Sequence, residues 1–336
     1  MLGLILNNVS LANSVEFGQD ATGDPNAVKV GGGSGFLYSE RIVLTVAHVI
    51  GAENPGAVAY WERSGVIYNP GIVTIADQKQ YRVQKVLIPS TYTKPDYANN
   101  IINDDYAVII LRDEIPMTKK AVFATEAQMQ RFVKEKSKVE LVGYGITNGS
   151  QRSSLSPINN RSPNKLTSTL ISPESVVEFY KQYPNVDWNK INKPGVYGIV
   201  QHRELQQSHI CDGDSGSVFF VEENNIRYVL GTTGLGLINN NCPPPEYAYP
   251  YPSMSWIDPN SKLRDLVRTA EQIVEEDKKI GAAAAAATAE MREKLEAEAK
   301  RKAALSKKTT IKCVKGNMTQ KVTAISPKCP RGFKKI

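Results

Sequence analysis

Three side chains in this sequence are of the types that nucleophilic attack on a carbonyl carbon requires. His48 ends a strand-like segment, Asp105 stands directly before an apolar run, and Ser215 lies among glycines. A serine hydroxyl becomes a strong nucleophile when an imidazole takes its proton and a buried carboxylate orients that imidazole. Backbone N–H groups must also meet the developing oxyanion. We therefore predict Ser215 as nucleophile, His48 as base and Asp105 as its orienting carboxylate. The N–H groups of Gly213 and Ser215 are predicted to form the oxyanion hole.

Each of these residues also has an ordinary structural explanation. A lone histidine is more often a satisfied structural residue than a catalyst, and Asp104 competes with Asp105 for the carboxylate role. The apolar strand begins directly after Asp105, which favours that residue. The presence of all three segments in one chain favours catalysis over three unrelated structural roles.

Taken together, these segments resemble the trypsin/chymotrypsin-like serine peptidases, in which His, Asp and Ser follow in this order. The resemblance covers about residues 15–274 and extends to Gly-Tyr-Gly at 143–145 and to the glycine-rich stretch at 31–35. No cysteine flanks His48, as in bacterial members. The resemblance implies two six-stranded antiparallel β-barrels and an endopeptidase that cleaves protein or peptide substrates through an acyl-enzyme, without a metal or organic cofactor. The alternative is a non-catalytic homologue that uses this fold as a binding module.

The residues before Val15 are predicted to be an export signal. A short apolar run is followed by small residues at Ala12 and Ser14, which resemble a signal-peptidase site. No Lys or Arg precedes the run, so either the sequence starts inside a longer signal or residues 1–14 form a buried strand; we favour the signal. The resemblance implies that cleavage after Ser14 frees the α-amino group of Val15 to pair with Asp214, the aspartate before the nucleophile.

The family resemblance also places a specificity pocket. The residue six positions before the nucleophile, at the base of the pocket in the family, is His209 here, and Ile210 adds an apolar wall. Gly234 and Gly236 lie where the substrate-binding strand is expected. Because a preference for Arg or Lys normally needs a carboxylate at the base, we expect a different preference. A histidine there can donate to an acidic side chain or an amide, or close a pocket for an apolar one.

The four cysteines fall into two local groups, Cys211 with Cys242 and Cys313 with Cys329. Two local pairs are typical of two disulfides, and therefore of an oxidising, extracellular compartment. A zinc site is the rival interpretation, but it usually shows paired C-x2-C spacings, which this sequence lacks. In the family, a disulfide flanks the specificity pocket, and that bond would join Cys211 to Cys242.

The spacing of apolar residues divides the chain of 336 residues into segments. Short runs of β-branched and aromatic residues, separated by Gly, Pro, Asn and Asp, predict a mostly β fold to about residue 258, with no sustained helix. From residue 260 the apolar period is helical, and after an interruption at Gly281 an Ala/Glu/Lys-rich stretch predicts a helical spacer. The predicted divisions are a signal at 1–14, a peptidase domain at 15–275, a spacer at 276–306 and a small disulfide-stapled module at 307–336.

The net charge of +7 belongs to the C-terminal tail. Twelve of the 41 Lys and Arg residues lie from Lys300 onward, where no Asp or Glu occurs, so the rest of the chain carries −5. A basic tail favours attachment to anionic cell-wall or other acidic surface polymers. Phe333 is its only aromatic residue, which disfavours nucleic-acid binding by base stacking. No run approaches the roughly 18 apolar residues of a membrane-spanning helix, which excludes a polytopic membrane protein. We expect a secreted monomer.

Overall fold

The structure is a computed structural model of the chain. It describes residues 15, 17–68, 70–71, 79–96, 101–146, 162–182, 195–201, 208–233, 236–237, 253–258 and 262–336. The chain forms two compact units that divide between Val274 and Glu275.

The described residues form twenty strands and five helices, numbered here in chain order. The strands are β1 Gln19–Asp20, β2 Ala27–Val30, β3 Gly33–Ser39, β4 Ile42–Thr45, β5 Val66–Tyr68, β6 Gln80–Leu87, β7 Thr93–Asp96, β8 Ile101–Asn103, β9 Ala107–Leu111, β10 Lys120–Phe123, β11 Lys138–Gly143, β12 Asn164–Ile171, β13 Tyr197–Gln201, β14 Val218–Glu223, β15 Ile226–Thr232, β16 Gly236–Leu237, β17 Ser253–Ile257, β18 Thr309–Lys315, β19 Met318–Ala324 and β20 Lys334–Lys335. The helices are α1 Ala47–Ile50, α2 Ala57–Ser64, α3 Glu126–Lys134, α4 Pro173–Lys181 and α5 Leu263–Ser306.

The first half of unit 1 contains a closed antiparallel barrel of six strands in the order β2-β3-β4-β9-β6-β5. Every residue of β4 and β9 is buried. One face of each strand fills the barrel, and the opposite face packs on the second sheet, so both strands read as continuous apolar runs. The barrel interior includes Val43 and Ile109, whereas Leu44 and Val108 face the second sheet. The predicted first barrel is confirmed.

The second half of unit 1 differs from the predicted second six-stranded barrel. Its described strands form a nine-stranded sheet in the order β10-β15-β14-β11-β12-β13-β17-β16, with β1 paired to β12. Strand β10 runs parallel to β15, whereas the other pairs of this sheet are antiparallel. The sequence pattern predicted strands correctly, but their partners depend on contacts between residues far apart in the chain, so the mixed sheet was not foreseen.

Three helices of eight or nine residues lie where the sequence analysis expected no sustained helix. Helix α3 has a recognisable start signal, because Thr125 and Gln128 form a capping box with reciprocal side-chain to backbone hydrogen bonds. Its buried residues, Met129 and Phe132, are three apart and therefore lie on one helical face. Helices α2 and α4 are as short, and such helices depend on packing against the rest of the protein more than on their own propensity.

A buried ion pair joins the two halves of unit 1. The Arg227 guanidinium, on β15, donates to both Asp24 carboxylate oxygens at 2.7 and 2.6 Å, and its Nε donates to Glu222 at 3.1 Å. The same guanidinium lies over the ring of Phe220, 4.4 Å from its centroid. Burial alone would raise the pKa of the Asp24 carboxyl, but the hydrogen bond and charge of Arg227, with the N–H groups of Asn26 and Ala27, hold that pKa below its ordinary value.

Helix α5 is continuous over 44 residues, so Gly281 does not interrupt it. Its first turns bury Leu263, Val267 and Ala270 against the apolar layer between barrel and sheet. Further along, Met291 and Leu295 are more than 60% exposed. Alanines and i,i+4 ion pairs are what support the helix in that stretch. The predicted helix is confirmed. Within the described part of the chain, no helix has both the length and the apolar composition to cross a membrane.

The end of the chain folds as a small antiparallel sheet in the order β19-β18-β20. A disulfide joins Cys313, at the centre of β18, to Cys329, with 5.6 Å between the two Cα atoms. Cys313 is buried, whereas most of the surrounding residues are exposed. A cross-link is valuable in so small a sheet because little apolar surface is available to hold it together. The predicted stapled tail is therefore confirmed.

The ion pair predicts a large stability effect for Asp24→Asn. This variant leaves the Arg227 guanidinium buried without its main carboxylate, and we expect the free energy of unfolding at neutral pH to fall by about 3 kcal/mol. The stabilisation from a depressed carboxyl pKa is present above the unfolded value of about 4 and is lost as the pH falls through the folded-state pKa. Urea unfolding of Asp24→Asn should therefore depend less on pH in acid than the wild type does.

The matched control is Asp20→Asn. The exposed Asp20 carboxylate is bonded only to Thr22 among the described residues, so its loss should cost less than about 0.5 kcal/mol. Equal costs for the two variants would contradict the assigned role of the Asp24–Arg227 pair.

Candidate active site

The pairing of β4 with β9 brings His48 next to Asp105. Thr45, at the end of β4, lies opposite Ala107 at the start of β9. Helix α1 therefore begins beside the short segment, Asp105 and Tyr106, that leads into β9. His48 Nδ1 lies 2.6 Å from Asp105 Oδ2, and the His48 backbone N–H donates to Oδ1 at 2.9 Å. The two carboxylate oxygens fix both the ring and the backbone of the histidine.

The electrostatics of this pair suit a base. The Asp105 side chain is 2% exposed and that of His48 is 20% exposed. A carboxylate that accepts from Nδ1 requires the proton on that nitrogen, which leaves Nε2 free to accept one. The neighbouring Asp104 takes a different role, because its carboxylate accepts from Lys262 at 2.8 Å. Of the two predicted candidates, Asp105 is the one that contacts His48.

The Ser215 turn lies against strand β3 of the first barrel. Gly213 and Gly216 have φ angles of +94° and +90°, which glycine adopts at little cost. A Cβ atom on Gly216 would lie 2.2 Å from the Ser34 carbonyl oxygen. The Ser34 N–H donates to the Ser215 carbonyl at 2.8 Å. Glycine at 216 thus permits the direct contact between the turn and the barrel.

Gly33 lies against both the Ser215 turn and the segment that carries His48. A Cβ atom there would lie 2.8 Å from the Ser215 carbonyl oxygen and 2.6 Å from Cγ2 of Val49, the residue after His48. The serine and the histidine are therefore brought to the same end of the barrel. Within the described part of the chain, the Ser215 hydroxyl makes no hydrogen bond to His48, and such bonds are often long before substrate binds.

The described residues provide no acceptor for two amides of the turn. The Asp214 N–H donates to the Cys211 carbonyl at 3.0 Å and the Gly216 N–H to the Thr233 carbonyl at 3.1 Å. In contrast, the N–H groups of Gly213 and Ser215 donate to no acceptor among the residues described. These two amides are the predicted oxyanion donors. Within the described residues, the Asp214 and Gly216 N–H groups of this turn are bonded to carbonyls, whereas those of Gly213 and Ser215 remain available. Such an arrangement can bind an anionic oxygen.

The Asp214 side chain holds the turn in place from the protein interior. It is fully buried, and its two carboxylate oxygens accept from the Cys211 and Gly145 N–H groups, each at 2.8 Å. A Cβ atom on Gly145 would lie 2.5 Å from the Asp214 carboxylate. The Gly-Tyr-Gly segment that the sequence singled out is therefore the wall against which this carboxylate packs.

Val15 is buried in the core of the second sheet, in the same apolar cluster as Ile210. The Gly18 N–H donates to the Val15 carbonyl at 2.8 Å, and a Cβ atom on Gly18 would lie 2.8 Å from that oxygen. The first fourteen residues lie outside the described residues. The structure therefore places the Val15 side chain inside the protein but does not bear on the predicted signal.

The predicted specificity residues are partly described. His209 is 1% exposed, and the Ile210 N–H donates to Gln201 Oε1 at 2.9 Å. Gln201 in turn donates to Ser255, which pairs with Gly236 in the sheet. Gly234 and Cys242 lie outside the described residues, so the predicted bond of Cys242 to the buried Cys211 stays a prediction.

Two buried polar residues at the site were missed by the sequence analysis. Gln201 supports the Ile210 segment, and Ser34 contacts the turn that carries Ser215. Ser34 lies in the glycine-rich stretch at 31–35 and Gln201 in no recognisable motif, but nothing in the sequence shows that either side chain is buried. Among the described residues, no three His, Cys, Asp or Glu side chains are grouped as metal ligands.

Residues 18–257 match the family model described as Trypsin. The match covers well over half of the chain and contains His48, Asp105 and Ser215. No curated protein matches the chain.

Proposed function

Because the chain belongs to the trypsin family of serine peptidases, we propose that it is a serine endopeptidase that acts through Ser215, His48 and Asp105. The observation that carries the proposal is the pair of amides at Gly213 and Ser215, which have no acceptor among the described residues and are held in a turn that packs on the barrel end carrying the His48–Asp105 pair. Nucleophile, base and oxyanion donors are the three parts that acyl transfer by serine needs.

Each residue has one step in the proposed reaction. The Ser215 hydroxyl oxygen attacks the substrate carbonyl carbon while His48 Nε2 takes its proton, and Asp105 stabilises the imidazolium that forms. The two free amides bind the oxyanion of the tetrahedral intermediate. His48 then donates its proton to the leaving amine, which leaves an acyl-enzyme. Water, deprotonated by His48, releases the acid and regenerates Ser215. These steps use no metal or organic cofactor.

The proposed cleavage preference is not for Arg or Lys. A buried His209 offers no permanent negative charge to a basic side chain. With Ile210 beside it, the pocket suits an apolar side chain, or an acidic or amide one that accepts a hydrogen bond from the imidazole. The alternative function is that of a non-catalytic homologue that binds peptides at the same surface.

We also propose that the active form begins at Val15, after secretion and removal of residues 1–14. The buried Val15 side chain and the buried Asp214 carboxylate support this proposal. A new α-amino group at Val15 would bring a positive charge that can pair with the buried Asp214 carboxylate, in addition to the hydrogen bonds that this carboxylate accepts from Cys211 and Gly145. The same cleavage would then both release the exported protein and order the Ser215 turn.

One face of the C-terminal sheet is proposed to hold the secreted enzyme on an anionic polymer. Lys312 and Lys321 are directly opposite on neighbouring strands, and Lys334 follows on the third strand. Like charges that face each other destabilise a sheet, and no acidic residue occurs after Glu298 to offset them. The other face carries Cys313 and its disulfide. The lysine face therefore suits a phosphate-bearing or otherwise polyanionic cell-wall polymer.

The catalytic proposal predicts labelling by a serine-directed fluorophosphonate. Protein that starts at Val15 should be labelled, and Ser215→Ala should not, because the variant lacks the nucleophile. Asp105→Asn should cut the labelling rate by about 10⁴-fold, since an amide stabilises the wrong histidine tautomer. The matched control Asp104→Asn, whose carboxylate accepts from Lys262 and Thr91 and not from His48, should stay within about threefold. Absence of labelling in folded protein with the Val15 terminus would favour the binding homologue.

The processing proposal predicts a defined N-terminus. Intact-mass analysis of the exported protein should give a chain that starts at Val15. An uncleaved protein, or Asp214→Asn with the correct terminus, should lose most of the labelling because the oxyanion turn lacks its charge partner. A mature chain that starts at any other residue would reject this part of the proposal.

The attachment proposal predicts salt-dependent binding to poly(glycerol phosphate). Lys312→Gln with Lys321→Gln should weaken binding about tenfold. Lys307→Gln with Lys308→Gln removes the same charge from outside the sheet and should weaken it less than threefold. Equal losses would indicate a purely non-specific charge effect. Unchanged surface retention after deletion of residues 307–336 would reject anchoring by the tail.

A further inference from the structure

Ser34 makes four hydrogen bonds at the contact between barrel and Ser215 turn. Its hydroxyl accepts from the Tyr144 N–H and donates to the Gly213 carbonyl, each at 2.8 Å. Its backbone N–H donates to the Ser215 carbonyl and its carbonyl accepts from Thr45 Oγ1, again at 2.8 Å. The residue is 0% exposed. A serine hydroxyl can donate and accept at the same time, which this position requires.

The carbonyl that Ser34 holds lies between the two free amides. The Gly213 N–H belongs to the peptide plane before Gly213, and the Ser215 N–H belongs to the plane after Asp214. The single plane between them is Gly213–Asp214, and its carbonyl oxygen is the acceptor of the Ser34 hydroxyl. Its N–H donates to the Cys211 carbonyl at 3.0 Å. These two hydrogen bonds fix the orientation of the Gly213–Asp214 peptide plane. They therefore also fix the angle between the Gly213 and Ser215 N–H groups.

The glycine at 213 makes this restraint necessary. Gly213 has no Cβ atom, so little steric resistance opposes rotation of the following peptide plane. The planes on either side are held independently, since the Asp212 carbonyl accepts from the Ile146 N–H at 2.7 Å and the Asp214 carbonyl accepts from Thr233 Oγ1 at 3.1 Å. The middle plane is thus the one whose carbonyl depends on a side chain from the first barrel.

We infer that Ser34 is a positioning residue that locks the Gly213 and Ser215 amides in the orientation that binds an oxyanion. The inference rests on the proposed peptidase function for its consequence in catalysis. Ser34 does not touch the substrate, and it acts through the peptide plane that it holds. An oxyanion donor is effective only when it is directed at the developing charge before the reaction starts, so loss of the hydroxyl should weaken transition-state binding more than substrate binding.

The test compares Ser34→Ala with Ser217→Ala. The Ser217 hydroxyl is also buried but has no hydrogen-bond partner among the described residues, so both variants remove one buried oxygen atom. We expect Ser34→Ala to lower kcat by about 30-fold, with KM changed less than threefold. Affinity for a peptide boronate should fall in parallel with kcat. Ser217→Ala should keep kcat within about threefold, and the pH at half-maximal activity should not move in either variant.

One further measurement and one further variant separate the proposed role of Ser34 from a loss of activity or of folding. Amide hydrogen exchange over residues 211–217 should be faster in Ser34→Ala than in wild type or Ser217→Ala, whether or not the protein cleaves peptides. If Ser34→Ala does not fold, Ser34→Cys keeps most of the side-chain volume with a weaker donor and should show the same changes in smaller measure.

Each outcome decides the proposal. A lower kcat with faster exchange in the Ser34 variant alone supports it. Equal effects of the Ser34 and Ser217 variants, or a Ser34 variant with wild-type kcat and exchange, overturn it. If the wild-type protein is inactive, the peptidase function fails separately. Faster exchange in the Ser34 variant then still supports the lock on the turn, and unchanged exchange rejects it.

Discussion

The arrangement at the candidate active site depends on the contact between strand β3 and the Ser215 turn. His48 and Asp105 come from the first barrel, whereas Ser215 and its neighbours come from the second sheet. The backbone bond from Ser34 to the Ser215 carbonyl joins the two halves at this point, and glycines at 33 and 216 leave room for it. A larger residue at either glycine would push the Ser215 turn away from the barrel end that carries His48, because the gap would have to accommodate at least a Cβ atom.

Apolar side chains buried between the barrel and the second sheet hold the two halves together, so that the hydrogen bond between Ser34 and Ser215 can form. An apolar layer between barrel and sheet contains Leu44 and Phe220 and the first turns of α5. At its border, the Asp24–Arg227 ion pair is almost completely enclosed. Breaking a buried ion pair is costly because each charge would be left without solvent or partner. Burial of the apolar layer stabilises the contact between the barrel and the second sheet. The ion pair and the β3 contact determine the orientation of the two halves.

The C-terminal unit is stabilised by different means. Beyond Ala270, helix α5 has little apolar burial and relies on alanine propensity and ion pairs one turn apart. The terminal sheet replaces a core with the Cys313–Cys329 bond. Because neither element needs much apolar surface, the strands of the terminal sheet can carry many lysines. Lys312, Lys321 and Lys334 lie on one face, and Lys315 and Lys335 lie on the face of Cys313. This density of positive charge is the basis for the proposed attachment to an anionic polymer.

By itself, the sequence determined the local elements and the residue types from which the chemistry is proposed. Runs of β-branched and aromatic residues predicted strands such as β3, β4 and β9, the helical apolar period predicted α5, and the spacing of cysteines predicted the Cys313–Cys329 bond. Residue types alone nominated His48, Asp105 and Ser215. A start signal for α3 at Thr125 and Gln128 was also readable, and was overlooked. These features are visible in the sequence because they depend on neighbours a few residues apart or on side-chain chemistry.

Only the tertiary structure decided which elements meet. The mixed second sheet, with β10 parallel to β15, follows from strand pairing across long stretches of chain. The contact of His48 with Asp105, the residue that the sequence favoured over Asp104, also depends on such pairing. The roles of Ser34 and Gln201 have the same origin. The sequence records a serine at position 34 in the same way whether its side chain faces water or donates a hydrogen bond to the Gly213 carbonyl. Its function exists only once folding has buried it there, because a hydrogen bond needs both partners in place.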